Sequence, residues 1–132
     1  MKKIVVLLVE DTEVAANRFR QFFIKEEGFL IEVVRNTGAA LRRLTTPCYD
    51  QLPVDCIVTN LVLEGSVKEG QALVSNVLKI QPEMPIIVWT KSPPEDISPA
   101  LDNGARMAME KYSGEEEVFP DMIRRLIPNQ VL

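Results

Sequence analysis

Five short apolar runs, most of them rich in β-branched residues, alternate along this 132-residue chain with stretches whose apolar residues recur at helical spacing. KIVVLLV (3–9), FLIEVV (29–34), VDCIVTN (54–60), PIIVW (85–89) and ARMAM (105–109) read as strands. Strict alternation of strand and helix calls for right-handed crossovers between parallel strands, so the expected fold is α/β, with one doubly wound parallel sheet covered by helices on both faces.

The helices carry their own start and stop signals. Thr12 is placed to cap a helix that turns Ala15, Phe19, Phe22 and Phe23 to one face, with Gly28 as its stop. A second helix, about Thr37 to Thr45, points Leu41 and Leu44 inward and ends at Pro47; CYDQLP (48–53) then turns into the third strand. The loop LVLEGSVKEG (61–70) feeds a helix with Leu73, Val74, Val77 and Leu78 at helical spacing, ended before Pro82. In SPPEDISPALDNG (92–104), Ser92 is the expected cap, and Pro99 inside the pattern is expected to shorten or distort the helix. Ser113 and Glu116 have capping-box spacing for a last helix, whose buried stripe is Phe119, Met122, Ile123, Leu126 and Ile127 and which Pro120 is expected to kink. With no internal repeat, linker or low-complexity tract, a single domain over 1–132 is expected.

Composition narrows the function classes. A hydrophobic share of 46% suffices for a core covered on both faces. A net charge of −4 and a pI near 4.9 argue against a nucleic-acid surface, so the Arg42-Arg43 and Arg124-Arg125 pairs read as solvated helix faces. Cys48 and Cys56 lack metal-ligand spacing, histidine is absent, and Cys56 reads as a small core residue. The apolar stretch after Met1-Lys2-Lys3 is cut short by Glu10-Asp11, which makes it a strand and not a signal peptide. No segment approaches the ~20 apolar residues that span a bilayer. A soluble, cytoplasmic protein is expected, with neither membrane nor direct nucleic-acid contact.

The strand ends concentrate the chemistry. Glu10 and Asp11 follow the first strand, Asn60 ends the third, Thr90 follows the fourth, and Glu110 and Lys111 follow the fifth. In a parallel sheet these ends share one edge, and ligands of open α/β sheets bind at that edge where strand order reverses. Taken singly, an acid pair also suits a helix start, Thr90 a loop hydroxyl, Lys111 an ordinary surface lysine and Trp89 core packing.

Taken together, VEDTE after the first strand, VDCIVTNLVLEG around the third, PIIVWT in the fourth and NGARMAMEK before the last helix resemble the receiver domain of bacterial response regulators. The resemblance runs from about Lys3 to Ile127. It implies a flavodoxin-like sheet of order 2-1-3-4-5 and phosphorelay signalling, with a sensor histidine kinase or another signalling protein as partner. It also implies a phosphoacceptor aspartate at the position of Asn60, Mg²⁺ held by Glu10, Asp11 and the carbonyl of Val62, and a phosphoryl-binding switch made by Thr90 and Lys111.

Departures from that pattern set the functional expectation. A carboxamide at Asn60 is a poor nucleophile, and losing one of three carboxylates should weaken Mg²⁺. Lys91 stands where receivers usually place a small residue, and its long cation is expected over the pocket. Ala108 replaces a common aromatic residue, and Tyr112 a usual proline. The expectation is a pseudo-receiver, non-enzymatic and phosphorylation-independent, acting as a protein-interaction module, with homodimerisation open to it through the last helix. The same residues fit a working receiver whose acceptor aspartate was replaced by Asn60. A flavodoxin-like small-molecule binder is a third reading, opposed by the acidic, glycine-free VEDTE loop. Hydrolysis by a catalytic triad lacks both histidine and a nucleophile elbow.

Overall fold

The structure, a computed structural model, describes residues 3–46 and 50–127. Strands β1 (Ile4–Val9), β2 (Phe29–Val34), β3 (Cys56–Thr59), β4 (Ile86–Thr90) and β5 (Met107–Glu110) form one parallel sheet in the order β2-β1-β3-β4-β5. This is the flavodoxin-like order. Helices α1 (Glu13–Gln21), α2 (Thr37–Thr45), α3 (Val67–Ile80) and α4 (Pro94–Asp102) fill the four crossovers, and α5 (Phe119–Leu126) follows β5.

Alternation along β1 divides the core in two. Val5, Leu7 and Val9 face Ala40 of α2, Leu73, Val74 and Val77 of α3, and Ala100 of α4. Ile4, Val6 and Leu8 face the opposite layer, where Phe19 of α1 meets Phe119 and Ile123 of α5. All six residues of β1 are buried, as a strand covered on both faces must be, and this explains its unbroken hydrophobic run. Phe19 also packs on Trp89 and Phe119, with ring centroids 5.5 and 5.2 Å away. These contacts lock α1 to α5 beneath the sheet edge.

Local signals differ from expectation in several places. Thr12 does cap α1, its hydroxyl accepting from the Ala15 amide at 3.3 Å. Asn36 caps α2 in the same way, accepting from the Ala39 amide at 2.8 Å. Pro47 and Cys48, and with them the expected stop of α2, lie outside the described residues. Ser92 does not cap α4, because its backbone amide and hydroxyl are tied to Thr90; the helix starts instead on Pro94, which needs no amide partner in a first turn. Pro99 lies inside α4 without ending it, and the nine-residue helix is as long as α1 and α2. Burial of Ala100 on the facing layer holds it there.

The expected capping box is not formed. Ser113 Oγ accepts from the Glu115 amide at 3.2 Å, and Glu116 turns inward. A 3-10 turn, Glu116–Val118, leads into α5, placing Pro120 in the first helical turn, where a missing N–H breaks nothing. Nor are the arginine pairs simply solvated. Arg43 meets Glu32 at 2.7 Å, and Arg124 meets Glu26 at 2.8 Å and Asp121 at 3.1 Å.

Candidate functional site

At the carboxyl edge of the sheet, the side chains of the residues that follow β1 and β5 reach across β3 and β4 to meet as a buried ion pair. Glu10 is fully shielded from solvent, and its Oε2 lies 2.7 Å from Lys111 Nζ. Its Oε1 accepts from the Thr12 amide at 3.3 Å and hydroxyl at 3.2 Å. Both oxygens are thus engaged, as a carboxylate out of water must be. Asp11, the next residue, is half-buried.

Asn60 closes β3, its backbone amide donating to the Val9 carbonyl at 3.0 Å. Its side-chain Nδ2 donates to the Val62 carbonyl at 3.1 Å. The reverse amide orientation would set two acceptor oxygens against each other, so the hydrogen-bond network fixes this one. The loop beyond is held close to α3. Gly70 donates its amide to the Leu61 carbonyl at 3.0 Å, and a Cβ on Gly70 would stand 2.2 Å from that same oxygen. Glu64 and Gly65 take successive positive φ values of 53° and 76°, forming a tight turn closed by paired Leu63–Ser66 backbone bonds.

Thr90 ends β4 with its hydroxyl committed locally, donating to Ser92 Oγ at 3.0 Å and accepting from the Ser92 amide at 3.1 Å. Asn60, Val62, Thr90, Lys91, Lys111 and Tyr112 line a cavity of about 300 Å³. Both charged residues in that lining, Lys91 and Lys111, are cations; Glu10 and Asp11 lie off it. Lys91 lines the cavity that the sequence placed it over, and Tyr112 lines it too. The Lys91 ammonium sits 4.5 Å from the centre of the Tyr112 ring, and the two share the rim.

Two of the three expected Mg²⁺ ligands already have partners within the protein. Glu10 spends both oxygens on Lys111 and Thr12, and the Val62 carbonyl is taken by the Asn60 amide. Among the described residues, no three acidic, cysteine or histidine side chains gather as a metal site.

One constellation escapes a reading of the sequence. Trp89, fully buried in β4, donates its indole N–H to Glu116 Oε2 at 2.7 Å, while Arg18 of α1 meets Glu116 Oε1 at 3.1 Å. Lys111 Nζ lies 4.9 Å from the Trp89 ring centre, and the Arg18 guanidinium 4.8 Å from that of Tyr112. Trp89 reads in sequence as core packing and Glu116 as a helix cap. Neither periodicity nor spacing signals the bond between them.

Comparison with known proteins agrees with this fold. The family model of the response regulator receiver domain matches residues 6–122. A protein of Rickettsia conorii named as an NtrX-like response regulator is 32% identical over 93 residues, covering 67% of this chain and 17% of its own length. One of Rickettsia felis with the same name is 31% identical, with the same coverage. The chain therefore spans under a fifth of these curated relatives. Among solved structures, a CheY-like receiver domain from Methanospirillum hungatei superposes with a TM-score of 0.76 at 19% identity, covering 95% of this chain and 94% of that one. The signal receiver domain of an HD domain-containing protein from Pseudomonas fluorescens gives 0.79 at 20% identity, covering 96% and 88%. The Mn²⁺-bound form of the response regulator Rcp1 gives 0.73 at 16% identity, covering 93% and 88%. No described helix is long and apolar enough to cross a membrane.

Proposed function

This chain belongs to the response regulator receiver domain family of two-component signalling, and we propose that it works there as a pseudo-receiver, a protein-interaction module that needs no aspartyl phosphorylation. The bond from Asn60 Nδ2 to the Val62 carbonyl carries the reading. A carboxamide at the acceptor position has no anionic oxygen to attack a phosphoryl group. Its N–H also occupies the backbone oxygen that would serve a metal, so one substitution removes the nucleophile and caps a ligand. The remaining groups that would hold Mg²⁺ are Glu10 and Asp11, and Glu10 is already neutralised by Lys111. Mg²⁺ binding is accordingly weak. Its partners are a sensor histidine kinase or another signalling protein, with a second copy of the chain as a further candidate through α5.

A second reading has its own support. Thr90, Lys111 and Asn60 still converge on one cavity, as they would in a working receiver whose acceptor aspartate was replaced by asparagine. Intact-mass analysis after incubation with Mg²⁺ and acetyl phosphate, on this chain and on Asn60→Asp, tests the proposal. No phosphoryl gain is expected on the chain as it stands; a gain there would overturn the phosphorylation-independent reading. A gain on Asn60→Asp would show that the rest of the machinery is intact.

A further inference from the structure

We propose that Tyr112 is the lid of the Asn60 cavity and that the buried carboxylate of Glu116 holds it shut through Arg18. This rests on reading that cavity as the functional site.

Three observations converge. First, Tyr112 adopts φ 62°, a left-handed conformation that bulky side chains avoid and that persists only where surrounding contacts over-determine it. Second, those contacts are two cations. The Arg18 guanidinium lies 4.8 Å and the Lys91 ammonium 4.5 Å from the ring centre, gripping it from α1 and from the loop after β4. Lys91 has no carboxylate partner among the described residues, so the ring is what orders its ammonium at the rim. Third, Arg18 is itself pinned. Glu116 is 1% exposed and bonds Arg18 with one oxygen and the Trp89 indole with the other, so the carboxylate cannot follow the arginine outward.

Trp89 links this clamp to the cavity floor, since Lys111 Nζ rests against its ring. Floor and rim are thereby joined behind the cavity, through Glu116. It is a positioning residue: it touches nothing in the cavity and sets how tightly the rim closes.

The test measures access to position 60 directly. The full chain carrying Asn60→Cys and Cys48→Ser is treated with iodoacetamide at pH 8, and alkylation at positions 56 and 60, which share one tryptic peptide, is assigned by fragment-ion sequencing. Cys56 is the internal control, because burial pushes its thiol up to about 12 and keeps it unreactive while the core is folded. Tyr112→Ala in this background should raise the rate at position 60 about tenfold, the size of two lost cation–π contacts, and Tyr112→Phe should leave it unchanged. Glu116→Gln keeps an acceptor for Trp89 but drops the charge that holds Arg18, and should raise the rate about threefold. If Glu116→Gln also exposes Cys56, Glu116→Asp, which keeps the charge but is one methylene short of holding both partners, takes its place with the same expectation. An unchanged rate in Tyr112→Ala overturns the lid. A raised rate there with no change in the Glu116 variant overturns the hold exerted by Glu116. No phosphoryl chemistry enters, so phosphorylation of the unmodified chain would sink the functional reading and leave this result standing.

Discussion

Lys111 Nζ and Glu10 Oε2 stand 2.7 Å apart, with the glutamate side chain wholly out of water and the lysine side chain 8% exposed. They come from opposite ends of the chain, and the parallel sheet brings them together where β1 and β5 finish. Desolvation of both charges makes the pair a modest contributor when intact and a large liability when halved.

Lys111→Met should therefore destabilise the domain by about 3–5 kcal/mol, because it leaves the Glu10 carboxylate buried without a counter-charge. Adding Glu10→Gln should recover most of the loss. Urea unfolding of the two single variants and the double variant measures the coupling. Simple addition of the single losses would mean that the pair does not act as a unit.

Gly70→Ala is expected to cost about 1–3 kcal/mol, the range for forcing atoms into filled space. The added Cβ would meet the Leu61 carbonyl at 2.2 Å, and backbone cannot move aside as a flexible side chain can. The loop holding Asn60 and Val62 would shift with it. Thermal melts read the stability, and the amide resonances of residues 60–66 read the displacement; a variant melting with the parent would remove this contact from the account.

Sequence carries the helix layers because burial imposes a helical period on them, and the sheet because a strand covered on both faces reads as an unbroken apolar run, as β1 does; which residues of that run face which layer, Val5, Leu7 and Val9 on one side and Ile4, Val6 and Leu8 on the other, is not marked by residue type. It carries Asn60, Thr90 and Lys111 because parallel strands end on one edge. It does not carry Glu116, which lies 98 residues from Arg18 and 27 from Trp89, at a position whose spacing equally suits a helix cap. Proline misleads for a related reason. Pro99 is overridden by burial of its neighbour Ala100, and Pro120 is harmless because α5 begins one residue before it. Capture of the Val62 carbonyl by Asn60 depends on the path of the loop, which no residue type announces.

Cys56 makes stability fall at high pH. Burial, with a smaller contribution from the Asp55 charge, pushes its thiol from the usual 9.0 to about 12. Between these values the unfolded chain loses a proton that the folded chain retains, so unfolding becomes easier as pH rises through that window. The expected slope from this group is about 1.4 kcal/mol per pH unit. Urea melts at pH 8, 9.5 and 10.5 on the parent and on Cys56→Ala isolate it. The parent should lose stability faster than the variant above pH 9; parallel curves would show that the thiol ionises equally well in both states.

Asn60→Asp should convert an indifferent site into one that Mg²⁺ stabilises. The substitution removes the N–H that occupies the Val62 carbonyl and adds a third carboxylate beside Glu10 and Asp11. With Mg²⁺ at a hundredfold excess over its dissociation constant, the variant should gain about 2.7 kcal/mol, an increase of several degrees in melting temperature. The parent should show no comparable rise over the same titration, because its Val62 carbonyl is taken and Glu10 is bound to Lys111. Equal rises in the two proteins would mean that the Asn60 amide gives way to the ion readily, and the proposed block would then rest on the missing nucleophile alone.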